Sequence, residues 1–164
     1  MADANGIVEG VPAPNVQLWD HNGQEWKLSD LRGKALVLYF YPADMTSGCT
    51  TEACEFNGSL AQFEALRTRV VGVSPDDAAS HQKFRAKHGL DFPLAYDPSL
   101  KAFEAFGVWQ EKNLYGRKSM GVVRSTFLID ADGVVRGVWR RVKAEGHALA
   151  VLEAVRSLEK QRQG

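Results

Sequence analysis

The chain has 164 residues, and 45% of them are apolar, which is enough for the hydrophobic core of one ordinary domain. Its 20 Lys and Arg residues balance its 20 Asp and Glu residues, so no net charge favours nucleic acid or an anionic membrane as a partner. No segment has the composition of a secretory signal or a membrane span, and 2 cysteines are too few for a disulfide scaffold. We therefore expect one domain over residues 1–164, in a reducing, cytoplasmic compartment.

The first quarter of the chain predicts an extended lead-in over residues 1–16 and a hairpin over 16–28. A capped turn is predicted at 29–33 and a buried strand at 35–41. The pair Asn22-Gly23 separates the two halves of the hairpin and is typical of a two-residue turn. The segment ALVLYFY at 35–41 is a continuous apolar run, as expected of a strand that is buried on both faces. Such a strand belongs at the centre of a sheet.

The rest of the chain predicts helices at 49–67, 80–88, 99–106 and 147–160, and strands at 70–74, 92–95, 125–129 and 134–139. The first of these helices is expected to break near Gly58-Ser59, and Gly89 is expected to end the second. The turn residues at 130–133 predict a second hairpin. No repeat or linker divides the chain.

The predicted order is β-α-β-α, a short insertion, and then β-β-α. A strand, a crossover helix and a strand form a parallel pair, whereas the last hairpin adds antiparallel strands. We therefore predict an α/β fold with a mixed central sheet, helices on both faces and an N-terminal hairpin, which resembles the thioredoxin-like order. This order puts residue 49 just beyond the central strand, where α/β folds favour functional sites.

Cys49 is expected in the first turn of the helix that follows the central strand. Unpaired amide N–H groups and the helix dipole stabilise a thiolate over a thiol at this position. The alternative is a small, buried apolar residue, which the polar surroundings TSGCTT disfavour. Cys49 is therefore the candidate nucleophile.

Cys54 follows five positions later, a spacing that does not allow a disulfide on an intact helix. Helix geometry separates the two Cα atoms by about 8.6 Å, beyond the roughly 7 Å that a disulfide tolerates. Cysteines three apart, as in C-x-x-C, would lie at about 5 Å and could close without movement. We therefore expect Cys49 to react first and the helix to unwind locally before Cys54 reaches it, unless Cys54 is a core thiol on the buried helix face.

Metal binding is another common role of cysteine in proteins. A structural zinc site needs four ligands, and no histidine lies near the two cysteines in the sequence. His21, His81, His88 and His147 share no spacing, so we expect them at the surface or at helix ends rather than as ligands or bases. We predict no metal and no bound cofactor.

The segment YPADMTSGCTTEAC, residues 41–54, resembles the active-site segment of peroxiredoxins, in the peroxiredoxin Q or bacterioferritin comigratory protein group. The family pattern P-x-x-x-T-x-x-C falls on Pro42, Thr46 and Cys49, and the second cysteine of the group falls on Cys54.

The resemblance covers nearly the whole chain, because it continues in the segments GVWQEKNLYGRKSMGVVRSTFLID and VWRRVKAEGHALAVLEAV, residues 107–130 and 138–155. One departure is Ser47, where this group often has proline, and the expected consequence is a less rigid loop before the first cysteine.

By this resemblance, Cys49 is the peroxidatic cysteine, which peroxide oxidises to a sulfenic acid, and Cys54 is the resolving cysteine that forms the disulfide. Thr46 would hydrogen-bond the peroxide and Pro42 would shield the thiolate. Arg124 would stabilise the thiolate and the breaking O–O bond. Without the resemblance, Arg124 would be interpreted as a surface cation at the end of a strand.

The implied function is a thiol peroxidase for hydrogen peroxide and organic hydroperoxides, recycled by thioredoxin or a similar dithiol, and a monomer is expected. Two other functions stay open at this point. One is a thiol-disulfide oxidoreductase, which the cysteine spacing disfavours. The other is a redox-sensing or chaperone-like binding protein whose partner contacts change on oxidation.

Overall fold

The computed structural model describes residues 7–163, so residues 1–6 of the predicted lead-in lie outside the described part of the chain. Residues 7–16 contain no helix or strand, in agreement with the sequence. Pro12 forms an isolated antiparallel bridge with Val134, and Ala13 donates its N–H to the Gly133 carbonyl at 2.9 Å. The lead-in therefore lies along the last strand of the sheet.

Within residues 7–163 the chain forms nine strands: β1 Gln17–Asp20, β2 Glu25–Lys27, β3 Ala35–Phe40, β4 Thr68–Val73, β5 Leu94–Tyr96, β6 Trp109–Leu114, β7 Arg117–Val122, β8 Ser125–Ile129 and β9 Val135–Arg140. The five α-helices in the same range are α1 Ser47–Gly58, α2 Leu60–Ala65, α3 Ala78–His88, α4 Lys101–Ala105 and α5 His147–Gln163. The capped turn after β2 is a 3-10 helix, Leu28–Leu31. The predicted break between the first two helices is confirmed and falls at Ser59.

Seven strands form one sheet in the order β2-β1-β5-β4-β3-β8-β9. The pairs β3/β4 and β4/β5 are parallel, and the remaining pairs of this sheet are antiparallel. The predicted mixed sheet with an N-terminal hairpin is therefore confirmed, and β3 lies inside it. Because β3 runs into α1, the start of α1 lies above the carboxyl end of a central strand.

All six residues of β3 are buried, and successive side chains enter different cores. Leu38 and Phe40 pack with Phe103 of α4, whereas Val37 and Tyr39 pack with residues of α1, α2 and α5. This alternation follows from the period of two in a strand and explains why the sequence run is apolar throughout. Helices therefore cover both faces of the sheet, as predicted.

The first hairpin differs from its prediction in the length of its turn. Asp20 donates its N–H to the Gln24 carbonyl at 2.9 Å, and Gly23 donates to the Asp20 carbonyl at 2.8 Å, which leaves a three-residue loop. Gly23 adopts a φ of 76°, as a glycine does after a type I turn in such loops. The predicted two-residue turn is therefore wrong by one residue, because Asn22-Gly23 is compatible with both turns.

The short insertion after α4 is a second antiparallel hairpin, β6/β7, which the sequence did not predict. Its turn is formed by Tyr115 and Gly116, both with positive φ, and most side chains of β7 are exposed. A strand pair with little buried surface lacks the apolar alternation by which strands are found in a sequence.

Candidate active site

The site is built where β3 ends. Residues 41–46, called the active-site loop below, connect β3 to α1, and Cys49 is the third residue of α1. Its side chain is 1% exposed and lies among the apolar residues that α1 packs against the sheet. Burial alone would also fit an inert core cysteine, so the polar groups around Cys49 must distinguish a reactive cysteine from an inert one.

Arg124 is the cation next to Cys49. It lies in the short connection between β7 and β8, and its Nη2 donates to Cys49 Sγ at 3.2 Å. A Cβ on Gly48 would lie 3.2 Å from the same Nη2, so glycine at this position leaves room for the guanidinium group. A guanidinium group at this distance provides a charged hydrogen-bond donor for any negative charge that develops on the sulfur.

Glu52 is the site residue that the sequence analysis missed. It lies three residues after Cys49 on α1, its side chain is fully buried, and its Oε1 accepts from Arg124 Nη1 at 2.5 Å. Its other oxygen, Oε2, has no hydrogen-bond partner within residues 7–163. The i, i+3 spacing on a helix was a signal that could have placed Glu52 beside Cys49.

The charges of this cluster act on one another. Burial raises the pKa of Glu52 to about 7, although the charge of Arg124 and its hydrogen bond act in the opposite direction. Burial lowers the pKa of Arg124, but Glu52 and Cys49 outweigh this effect and leave the pKa above its ordinary value. Arg124 therefore stays charged while two acidic side chains share it.

Thr46 and Pro42 belong to the active-site loop. Thr46 precedes α1 as its N-cap residue, but its hydroxyl donates to the Ala43 carbonyl at 2.9 Å instead of capping the helix. The hydroxyl oxygen keeps its lone pairs free to accept a hydrogen bond. Pro42 is half-buried and directly follows Tyr41, the buried residue after β3.

Cys54 lies on the same continuous helix as Cys49, and both cysteines are free. Its side chain is exposed, so the alternative of a core thiol on the buried face of the helix is wrong. Helix geometry keeps the two Cα atoms about 8.6 Å apart, and the two sulfurs therefore cannot bond while α1 is intact.

The expectation that all histidines lie at the surface or at helix ends is wrong for His81, which is fully buried inside α3. His147 begins α5 as a helix-end residue, but it is also buried. Burial, followed by the charge of Arg124, lowers the pKa of His147 to about 4, so this ring is neutral at neutral pH. Its Nε2 lies 2.7 Å from Thr126 Oγ1.

Within residues 7–163 no group of three or more His, Cys, Asp or Glu side chains could hold a metal ion. None of the helices in this range is both long and apolar enough to cross a membrane. The groups that the described residues bring together at the site are a buried cysteine sulfur, one guanidinium group, one carboxyl group and, on the active-site loop, the Thr46 hydroxyl.

The fold and the site together define a thioredoxin-like protein with a reactive cysteine at the start of a helix. The profile of the AhpC/TSA family matches residues 10–138. Peroxiredoxin Bcp of Bacillus subtilis is 46% identical over 149 residues, which cover 91% of this chain and 95% of the relative. Peroxiredoxin Bcp of Xanthomonas campestris is 45% identical over 139 residues, which cover 85% and 87%.

Solved structures similar to this chain come from the same group of proteins. A bacterioferritin comigratory protein of Xanthomonas campestris, studied for its alkyl peroxide reduction activity, has a TM-score of 0.86 and 42% identity and covers 93% of this chain and 98% of its own. The peroxidoxin BcpB of Mycobacterium tuberculosis has a TM-score of 0.81 and 35% identity and covers 91% and 96%. The chain therefore belongs to the AhpC/TSA family, within its Bcp or peroxiredoxin Q group, and is a thiol-dependent peroxidase.

Proposed function

We propose that Cys49 is the peroxidatic cysteine and that Arg124 is its main electrostatic partner. The observation that carries this assignment is the 3.2 Å hydrogen bond from Arg124 Nη2 to Cys49 Sγ. The thiolate sulfur attacks one peroxide oxygen, the O–O bond breaks, and the second oxygen leaves with a proton as water or an alcohol. Cys49 is thereby oxidised to a sulfenic acid.

Thr46 and Pro42 act on the peroxide side of this reaction. The Thr46 hydroxyl, already bound to the Ala43 carbonyl through its proton, accepts a hydrogen bond from the peroxide O–H. Arg124 stabilises the negative charge that develops on the departing oxygen, a role that depends on charge and alignment. Pro42 shields the thiolate from water.

Cys54 resolves the sulfenic acid after α1 has unwound locally. Its thiolate attacks the Cys49 sulfur, hydroxide leaves and becomes water, and an intramolecular disulfide forms. Two properties of α1 support unwinding: the Thr46 side chain does not cap it, and it is rich in residues of low helix propensity. These are Ser47, Gly48, Thr50, Thr51, Asn57 and Gly58, each about 0.5–1 kcal/mol less favourable than alanine in a helix interior.

We further propose that the disulfide is reduced by thioredoxin or a similar dithiol, and that the chain is one domain over residues 1–164 and a cytoplasmic monomer without nucleic-acid or membrane partners. The balance of 20 basic and 20 acidic residues supports the absence of such polyanionic partners.

The assignment of the cysteines is tested with Cys49→Ser and Cys54→Ser in a peroxide consumption assay coupled to thioredoxin. Cys49→Ser should lose all peroxide reaction, whereas Cys54→Ser should complete one turnover and stop as a sulfenic acid. Peroxide consumption by Cys49→Ser at the wild-type rate would refute the assignment. Reduction of insulin disulfides by the wild type would instead favour an exchanger, and slow stoichiometric oxidation would favour a redox sensor.

Unwinding of α1 is tested separately by hydrogen exchange on the reduced and oxidised forms. The amides of residues 49–56 should lose most of their protection in the disulfide form, since the cysteine pair cannot close on a helix. Equal protection of these amides in both forms would refute the unwinding, and the amides of α5 provide the internal reference.

A further inference from the structure

Asp44, in the middle of the active-site loop, has a buried carboxylate with three hydrogen-bond partners. Its Oδ1 accepts from the Tyr41 hydroxyl at 2.6 Å, and its Oδ2 accepts from Ser80 Oγ at 2.8 Å and lies 2.7 Å from His81 Nδ1. The side chains of Asp44 and His81 are only 2% and 0% exposed. Hydrogen bonds from Tyr41 and from α3 therefore fix the orientation of the Asp44 side chain.

The second nitrogen of His81 connects the same ring to β5. His81 Nε2 lies 2.9 Å from the carbonyl oxygen of Ala95, and a carbonyl oxygen only accepts, so Nε2 carries a proton. Nδ1 lies 2.7 Å from Asp44 Oδ2, so one ring bridges the active-site loop and β5. Loss of either side chain leaves the other buried without its hydrogen-bond partner.

The backbone of the active-site loop is held from the same side. Asp44 donates its N–H to Asp76 Oδ2 at 2.7 Å, and the same oxygen accepts from Ser74 Oγ at 2.7 Å. These partners lie at the end of β4 and before α3, and Ala95 lies in β5. None of them belongs to α1, so these contacts of the loop do not depend on α1 being folded.

We propose that Asp44 and His81 are positioning residues for the peroxide reaction: their buried hydrogen bond holds the active-site loop, and therefore Thr46, in register with Cys49. The inference rests on the proposed peroxidatic role of Cys49. Met45, between Asp44 and Thr46, has a φ of 67°, which is unfavourable for a non-glycine residue and persists only where its surroundings fix the backbone. Release of the loop lets this backbone relax and moves Thr46.

The test compares two reactions of the same sulfur. In a Cys54→Ser background, Cys49 is the only thiol, and its second-order rate constants are measured by stopped flow with hydrogen peroxide and with iodoacetamide. Both reagents need the thiolate, but only peroxide needs the loop. Asp44→Ala and His81→Leu should lower the peroxide rate constant about 30- to 100-fold, because misplacement by about 1 Å costs that much, and should change alkylation less than about threefold.

His81→Asn is the conservative rescue, because its amide nitrogen can take the place of Nδ1 and donate to Asp44. It should recover the peroxide rate to within about fivefold of the background protein. Asp97→Asn is the matched control, since Asp97 is an equally buried carboxylate that accepts from the Ala102 N–H at 2.8 Å at the start of α4. It should change neither rate.

Parallel changes in both rate constants, or an unchanged peroxide rate in folded Asp44→Ala, would overturn the positioning role. Ser80→Ala removes a single donor to Asp44 and leaves the contact between Asp44 and His81, so it provides the same test if the larger changes prevent folding. It should lower the peroxide rate about threefold, and no change in a folded Ser80→Ala protein would also contradict the proposal. A background protein whose Cys49 reacts with peroxide no faster than a free thiol would refute the peroxidatic role itself.

Discussion

Replacing Ser47 with proline should slow disulfide formation without slowing the reaction with peroxide. Ser47 is the first residue of α1, the position where proline is most favourable in a helix. Thr46 before it has φ −84° and ψ 154°, the extended conformation that a residue before proline requires. No described residue accepts a hydrogen bond from the Ser47 N–H, so the substitution removes no contact.

The effect arises in the unwound state of α1. Proline at a compatible position stabilises a fold by about 0.4–1 kcal/mol, because it reduces the number of conformations that the unfolded segment can adopt. At 25 °C this free energy lowers the unwound fraction of α1 about two- to fivefold. If unwinding limits resolution, the conversion of the Cys49 sulfenic acid to the disulfide slows by the same factor.

The assay mixes reduced protein with one equivalent of hydrogen peroxide, quenches at set times with a sulfenic-acid trap, and follows the trapped and disulfide forms by mass spectrometry. The matched control is Ala78→Pro, which puts proline at the first position of α3, after an extended Asp77 with ψ 179°. This control should leave resolution unchanged. Disulfide formation in Ser47→Pro at the wild-type rate or faster would refute unwinding of α1 from its first turn.

Three further changes act on the charges and hydrogen bonds around Cys49. Arg124→Lys should lower the peroxide rate constant by about 10²–10³, because lysine cannot donate to Cys49 and Glu52 with the fixed geometry of a guanidinium group. An equal loss in the rate of alkylation by iodoacetamide would contradict this explanation. In stopped-flow measurements, Thr46→Ser should keep most of the peroxide rate constant, whereas Thr46→Val should lower it about 10²-fold. Equal rate constants in the two variants would exclude a role of the hydroxyl group in the peroxide reaction. For Glu52, the folded pKa of about 7 exceeds the usual 4.5, so its contribution to stability is present below pH 4.5 and is lost as the pH rises through 7. Between pH 4.5 and 8, the free energy of unfolding measured with urea should fall by about 3 kcal/mol more in the wild type than in Glu52→Gln. Equal falls in the two proteins would refute the raised pKa of Glu52.

The sequence predicts the elements that bury apolar surface and the residues that belong to a contiguous motif. The central strand, the break at Ser59 and the glycine stop at Gly89, which has a φ of 62°, all follow from local patterns. The hairpin β6/β7 was missed because its strands bury too little surface to impose a pattern.

The polar partners of the site could not be predicted in the same way. His81 approaches Asp44 from 37 residues away, and Arg124 approaches Glu52 from 72 residues away. Local spacing carries no information on contacts of this length, which are set by the order of strands in the sheet. Only the resemblance to a known family placed Arg124 at the site. The i, i+3 spacing could have placed Glu52 beside Cys49, but it did not show that Glu52 is buried or that it binds Arg124, and no local feature marked His81 as buried.

We expect the arrangement of charges to couple the proposed oxidation of Cys49 to the opening of α1 that the disulfide requires. Arg124 comes from the connection between β7 and β8, whereas Cys49 and Glu52 both belong to α1, so one cation holds the start of this helix in place. On the proposed assignment, peroxide converts Cys49 to a neutral sulfenic acid, whose hydrogen bond with Arg124 is about half as strong as a charge-assisted one. The buried carboxyl of Glu52, whose pKa of about 7 reflects an unfavourable environment, gains solvation as soon as α1 opens. On the proposed assignment, oxidation weakens one of the two contacts that join α1 to Arg124, and the burial of Glu52 favours the same opening, so we expect α1 to open more readily once Cys49 has reacted.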